Sequence, residues 1–93
     1  MERTMFKLII AIIRDSDANT VLDALIAANF RATRIASTGA FFRQGNTTLM
    51  IGVEAERVDA AIDVIKAACG PAPSDGSHRA TLFVLNTARY EQI

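Results

Sequence analysis

Residues 29–53 read NFRATRIASTGAFFRQGNTTLMIGV. Two strand-like runs, at residues 32–38 and 46–53, flank a short turn region in this stretch. Gly39 and Gly45 bracket the turn, and glycine is one of the residues that turns favour for its conformational freedom. We therefore predict a pair of strands joined by a loop, and we expect the rest of the chain to be arranged around it.

The second strand of this pair has a clear apolar face. Leu49, Ile51 and Val53 fall at alternating positions, which is typical of a strand with one side in a core. Gly52 lies between them, although glycine weakens strands. It therefore indicates a bulge, a close approach by another backbone or a ligand, or a packing constraint between elements or subunits.

Most of the polar side chains that could recognise a ligand lie in the same stretch. They surround the Phe41–Phe42 pair and are Asn29, Arg31, Thr33, Arg34, Ser37, Thr38, Arg43, Gln44 and Asn46. None of them is a nucleophile with its own base, which covalent catalysis requires. The pattern predicts a binding loop on a scaffold rather than a reaction centre.

Outside this stretch the chain supplies two helices and two more strands. The predicted order is strand 5–13, helix 18–28, strand 32–38, strand 46–53, helix 54–69 and strand 80–85. Residues 15–17 offer N-cap candidates for the first helix, and Asn29 suits its C-terminal end. The predicted apolar stripes are Val21, Leu25 and Ala28 in the first helix and Val58, Ile62, Ile65 and Cys69 in the second.

This order of elements predicts the fold. Two strand-helix-strand halves joined by a turn form a ferredoxin-like α+β sandwich, a four-stranded antiparallel sheet with both helices on one face. We expect residues 1–93 to form one such domain. Residues 6–13 and 47–53 carry apolar side chains on both alternating faces, so we expect the uncovered sheet face to pack against neighbouring subunits, most simply in a homotrimer.

Composition narrows the possible functions. The chain has 10 Lys and Arg against 10 Asp and Glu, so no global field would attract nucleic acid or an anionic membrane. Its single cysteine, Cys69, excludes an internal disulfide, and its single His78 is a poor basis for a metal site. The longest apolar run, residues 8–13, is too short for a membrane span. We expect a cytoplasmic, non-enzymatic protein with no catalytic residue, metal or cofactor.

Several short motifs are similar to a known family. Residues 29–33, 37–39, 45–48 and 51–53 resemble the corresponding motifs of the cyclic-di-AMP receptor family, bacterial P-II-like trimeric signalling proteins. The likeness extends to the first strand, to Glu56–Asp59 at the start of the second helix and to Thr81–Leu85 in the fourth strand. It implies a P-II-like homotrimer that binds cyclic di-AMP in clefts between subunits and signals to a protein partner.

The resemblance also implies the ligand-binding residues. They are Asn29, Arg31, Thr33, Ala40, Phe41, Phe42, Asn46, Gly52, Phe83 and Gln92. Arginine offers a planar donor fork to a phosphate, and an asparagine amide can pair with the edge of adenine. The face of Phe41 or Phe42 would stack on a base.

The sequence departs from the family pattern in places. Ala40 replaces a second glycine, Phe42 replaces a leucine, and His78–Arg79 replaces a pair of glycines. The loop at residues 70–77 is also shorter than the one that is thought to report ligand binding in the family. Two alternatives therefore stand beside cyclic di-AMP: a P-II-like trimer that binds ATP or ADP, and a trimeric adaptor that binds no ligand.

Overall fold

The computed structural model describes residues 5–38, 45–71 and 74–93. Its elements are strand β1 at Phe6–Arg14, helix α1 at Asp15–Ala27, strand β2 at Arg31–Thr38, strand β3 at Asn46–Glu54, a 3-10 turn at Ala55–Arg57, helix α2 at Val58–Cys69 and strand β4 at Ala80–Asn86. The predicted order of elements is confirmed. Gly39, Ala40, Phe41, Phe42, Arg43 and Gln44 lie outside the described residues.

The four strands form one antiparallel sheet in the order β2-β3-β1-β4. This order is that of the ferredoxin-like sandwich, so the predicted fold class is confirmed. β1 and β3 are the inner strands and pair along their whole lengths, from Phe6 opposite Glu54 to Arg14 opposite Asn46. Each of the outer strands pairs with one of them.

Both helices pack on one face of the sheet. The strand residues buried beneath them are Ile9, Ala11, Ile13, Leu49, Ile51 and Val53, and the helix residues that cover these are Val21, Leu25, Ala61, Ile65 and Cys69. Full burial of each large aliphatic side chain contributes about 1.5–3 kcal/mol. Among the described residues, no helix combines the length and the apolar character that crossing a membrane would require.

The apolar stripe of α2 includes Ile65 and Cys69 as predicted, but Ala61 is buried in place of Ile62. Ala61 is fully buried, whereas Ile62 is only half-buried. Ala61, Ile65 and Cys69 follow each other at intervals of four residues and pack against α1 and the sheet. The prediction chose Ile62 because isoleucine is the larger side chain. The helix approaches its neighbours closely enough to favour the small Ala61 at this contact instead.

The start of α1 also differs from the prediction. β1 runs directly into the helix, so Arg14 occupies the N-cap position and makes no side-chain cap hydrogen bond there. Asp15 and Asp17 instead lie in the first turn, where their negative charge favours the positive end of the helix dipole. Asp15 also accepts a hydrogen bond from the hydroxyl of Thr47, which ties the helix start to β3.

Cys69 ends α2 and is buried, as predicted for a cysteine at a helix end. Burial raises the pKa of its thiol, nearby Asp17 raises it further, and Arg79 opposes them.

Arg79 forms an ion pair with Asp17, with Nη1 3.2 Å from Oδ2. Its Nε also donates to the carbonyl oxygen of Pro71 at 3.2 Å, so Arg79 links the loop before β4 to α1.

The sheet face away from the helices is apolar and remains partly exposed among the described residues. Thr33, Met50, Ile10 and Phe83 form one row across all four strands on this face. Met50 is 36% exposed and Phe83 is 53% exposed. The row bears out the prediction that the inner strands carry apolar side chains on both faces.

Asn29 ends the first helix in the left-handed conformation that the sequence predicts. Its φ angle is 67°, and among the described residues other than glycine it alone has a positive φ. Its backbone N–H donates to the carbonyl oxygen of Ile26 at 3.0 Å, and the next N–H, of Phe30, donates to Leu25 at 2.9 Å. These bonds turn the chain sharply from α1 into β2.

Asn29→Ala should therefore lower the free energy of unfolding by about 1 kcal/mol, because the short polar side chain of asparagine can offset left-handed backbone by local hydrogen bonding and the methyl group of alanine cannot. Asn29→Gly should leave it within about 0.5 kcal/mol of the wild type. Urea denaturation followed by circular dichroism measures both. Equal losses for the two variants would contradict a backbone role for Asn29.

Candidate nucleotide-binding groove

An open groove of about 550 Å³ lies at one end of the sheet. It is bounded by the start of β2, the end of β3, the start of β1 and the C-terminal tail, residues 87–93. Its lining residues are Lys7, Leu8, Ile26, Phe30, Arg31, Ala32, Thr33, Met50, Gly52, Thr87, Tyr90 and Gln92. The groove therefore joins one corner of the apolar sheet face to a set of polar side chains.

Arg31 stands out by its lack of partners. It lies opposite Gly52 in the sheet and is exposed along the groove. Within the described part of the chain it makes no hydrogen bond or ion pair, whereas the other described arginines each have a partner. Those pairs are Arg14 with Ser77, Arg34 with Asn19, Arg57 with the Ala28 carbonyl, Arg79 with Asp17 and Arg89 with Glu91. The guanidinium of Arg31 is thus available to an anion.

Gly52 forms part of the floor of the groove. It does not mark a bulge, because its pairings with Leu8 and Arg31 continue those of its neighbours. The irregularity in the sheet lies instead in β2, between Arg34 and Ala36. A Cβ at position 52 would lie 3.7 Å from Cε1 of Tyr90, which is ordinary van der Waals contact. The backbone does not require glycine here, so the missing side chain serves mainly to leave space in the groove.

The C-terminal tail folds back over this end of the sheet. The Tyr90 ring stacks on Phe6 of β1 with ring centroids 4.4 Å apart and an angle of 21° between the planes. The Thr87 hydroxyl donates to the Phe6 carbonyl oxygen at 3.0 Å. Lys7 also donates to the side chain of Asn86, just before the tail. These contacts bring Tyr90 and Gln92 to the groove.

A smaller hollow of about 210 Å³ adjoins the groove beside Asn29. It shares Arg31, Gly52, Tyr90 and Gln92 with the groove. Arg57 lies on its other side, with the guanidinium carbon 4.1 Å from the centroid of the Phe30 ring, a cation–π geometry. Arg57 Nη2 also donates to the Ala28 carbonyl oxygen at 3.2 Å. Arg57 thereby fixes the turn that presents Asn29 and Arg31.

One chain brings together part of the predicted site. Asn29, Arg31, Thr33, Gly52 and Gln92 all line the groove or the adjoining hollow. Neither Tyr90 nor Phe30 was predicted as a site residue. Their contacts join distant parts of the chain, and no local periodicity signals them.

The other predicted site residues lie elsewhere. Asn46 begins β3, six residues before Gly52, which is about 20 Å along an extended strand. Phe83 belongs to the same cross-strand row as Thr33 but lies three strands away, a separation of about 14 Å. Ala40, Phe41 and Phe42 are outside the described residues. Within one chain, Asn46 therefore does not line the groove.

Solved structures establish the class of protein that this fold defines. A functionally unknown protein from Pediococcus pentosaceus ATCC 25745 is 37% identical, with a TM-score of 0.81, over 98% of this chain and 100% of that chain. The PII protein of Arabidopsis thaliana bound to citrate is 20% identical, with a TM-score of 0.68, over 90% of this chain and 78% of that chain. A DUF3240 family protein from Shewanella baltica OS155 is 12% identical, with a TM-score of 0.71, over 98% of this chain and 99% of that chain. The last two share only the fold, which is PII-like.

Residues 6–74 match the family described as cyclic-di-AMP receptor. The chain belongs to this family, and the resemblance inferred from its motifs is confirmed. The family and the PII-like fold point to a nucleotide-sensing signalling protein rather than an enzyme. Among the described residues, no three His, Cys, Asp or Glu side chains converge as metal ligands would. The match ends before β4 and the tail, so it does not cover Phe83, Tyr90 or Gln92.

The Gly52 geometry predicts opposite effects on stability and binding. Gly52→Ala should raise the free energy of unfolding by about 0.5–1 kcal/mol, because alanine loses less entropy than glycine in a strand. The added methyl group should also weaken the affinity for cyclic di-AMP, the ligand for which the family is named, by about tenfold. Thermal unfolding and calorimetric titration measure the two effects.

Gly76→Ala provides the matched control for Gly52→Ala. Gly76 has a φ angle of 87° in the loop before β4, so alanine there should lower stability and leave affinity unchanged. A Gly52→Ala variant that binds as tightly as the wild type would remove Gly52 from the site.

Proposed function

We propose that this protein senses cyclic di-AMP, which it binds in the groove beside β2, β3 and the tail. The observation that carries the proposal is the Arg31 guanidinium, which is exposed beside the Gly52 floor and has no partner among the described residues. Arg31 is exposed, so its planar donor fork is open to solvent and can bind a phosphate in the groove. Membership of the cyclic-di-AMP receptor family supports the same ligand.

The other groove residues suit the remaining parts of an adenine dinucleotide. Thr33 offers a neutral hydroxyl beside Arg31, and the amides of Asn29 and Gln92 can each donate to and accept from the edge of adenine. Leu8 and Phe30 provide apolar contact for a base or ribose. This mixture of a mostly apolar wall and a few polar groups is typical of small-molecule sites.

We propose that the complete site lies between subunits of a homotrimer. The row of Ile10, Met50 and Phe83 leaves an apolar face exposed in one chain, and a neighbouring sheet would bury it. In such an assembly Asn46 of one subunit would approach the groove of the next. Phe41, Phe42 and Phe83 would contribute in the same way, and Ala40 would affect the shape of the loop that carries the first two.

The signal would pass from the cytoplasmic trimer to a protein partner. Residues 70–77 are the obvious reporting segment, because Arg14 Nη2 donates to the Ser77 hydroxyl at 3.0 Å and Arg79 is paired with Asp17. These contacts join the loop to β1 and α1. Because the loop is short, two alternatives to cyclic di-AMP sensing remain. The ligand is ATP or ADP in the first, and the protein is an adaptor that binds no ligand in the second.

Calorimetric titration with cyclic di-AMP tests the proposal, with ATP and cyclic di-GMP as controls and light scattering to give the mass of the assembly. We expect one cyclic di-AMP per subunit and weaker or no binding of the two controls. Preferred binding of ATP would change the ligand but keep the site. A folded protein that binds none of the three would contradict the proposal.

Arg31→Ala should weaken cyclic di-AMP binding by about 10- to 100-fold, since hydrogen bonds to charged groups contribute about 1.5–3 kcal/mol. Arg34→Ala is the matched control on the same strand. Arg34 lies opposite Leu49 and donates from Nη2 to Asn19 at 2.6 Å, away from the groove. Equal affinities of the two variants would contradict the assignment of Arg31 to the phosphate.

A further inference from the structure

Tyr90 presents an aromatic surface to the groove. Phe6 covers one face of its ring in the stacked arrangement described above, with centroids 4.4 Å apart. The residue nevertheless remains 42% exposed and lines both the groove and the adjoining hollow. A tyrosine with one face supported and one side open to a groove is well placed to receive a flat ring.

The position of this ring is fixed by contacts that involve no ligand. The Thr87 hydroxyl donates to the Phe6 carbonyl oxygen, and Lys7 donates to Asn86, so the tail is attached to β1 on the strand side of Tyr90. The stack on Phe6 then restrains the ring itself. Because these contacts order the side chain in advance, binding would lose less conformational entropy at Tyr90 than at a freely rotating side chain.

The polar residues around Tyr90 match the groups attached to a nucleobase. Gln92 follows two residues later on the same tail and lines the same groove, and Arg31 lies on the opposite wall. Gly52 lies beside the Tyr90 ring, since a Cβ at position 52 would be 3.7 Å from Cε1 of that ring. A base, its polar edge and the attached phosphate therefore each have a complementary group within one groove.

We propose that Tyr90 is the stacking platform for an adenine base of the ligand, with Phe6 as its support. The base would complete a three-ring stack with Tyr90 and Phe6. This inference rests on the proposed function and adds a base-contacting residue that the sequence motifs did not indicate. It assigns to the tail, which lies beyond the residues matched to the family, a direct part in ligand recognition.

Tyr90 can be observed directly, because it is the single tyrosine of the chain and the chain has no tryptophan. Stacking of adenine on the ring should quench its fluorescence during titration with cyclic di-AMP. The midpoint of the quenching should match the Kd from calorimetry. Free N-acetyltyrosinamide at the same nucleotide concentrations corrects for light absorbed by the ligand.

Two substitutions separate stacking from other roles of the side chain. Tyr90→Leu keeps an apolar side chain but removes the ring, and it should weaken cyclic di-AMP binding by about 10- to 100-fold. Tyr90→Phe keeps the ring and should bind within about threefold of the wild type. Arg89→Ala is the matched control in the same tail, since Arg89 pairs with Glu91 and does not line the groove. It should bind like the wild type.

The outcomes distinguish this inference from the proposed function. A wild-type protein that binds no adenine nucleotide would overturn both. Binding without tyrosine quenching, or with equal affinity in Tyr90→Leu, would overturn the platform alone. A tenfold loss in Tyr90→Phe would also overturn it, because the hydroxyl rather than the ring would then carry the contact. Should Tyr90→Leu fail to fold, the quenching and the Tyr90→Phe affinity still decide the question.

Discussion

The antiparallel pairing of β1 with β3 is the constraint on which the rest of the structure depends. It runs the whole length of both strands and places Ile9, Ala11 and Ile13 under the helices. The same register places Leu8 beside Gly52 on the opposite face. Since β2 continues the row with Arg31, one set of backbone hydrogen bonds fixes both the core and the floor of the groove. A slip of one residue would exchange the two faces and destroy both.

The fold also bears on the proposed assembly of subunits. Both helices cover the same face of the sheet, so the other face keeps its apolar residues exposed and must be covered by another molecule to be shielded from water. Asn46 and Gly52 are about 20 Å apart along β3, so in the proposed function a ligand in the groove would meet Asn46 of a neighbouring subunit. Ligand recognition and assembly are therefore coupled in the proposed function, because the exposed apolar sheet face adjoins the groove in which Arg31 would bind the phosphate.

Local patterns predicted the elements and the family, but contacts between distant segments were not accessible from the sequence. The alternation of Leu49, Ile51 and Val53 predicted the core side of β3, and Asn29 predicted the end of α1. In the stripe of α2, Ile65 and Cys69 were predicted correctly, but the larger Ile62 was predicted in place of the buried Ala61. The sequence did not indicate that Tyr90 lines the groove, because its partner Phe6 lies at the other end of the chain. The Arg57–Phe30 contact was missed for the same reason, since only the folded chain brings the two residues together.

The central claim is that one ligand contacts the groove of one subunit and the far end of β3 in another. An amide NMR titration of the labelled protein with cyclic di-AMP tests it most directly. The account predicts two separate groups of shifted signals, one at Arg31, Gly52 and Tyr90 and the other around Asn46, both saturating at one ligand per subunit. Shifts confined to Asn46, or no shifts in the groove, would contradict it.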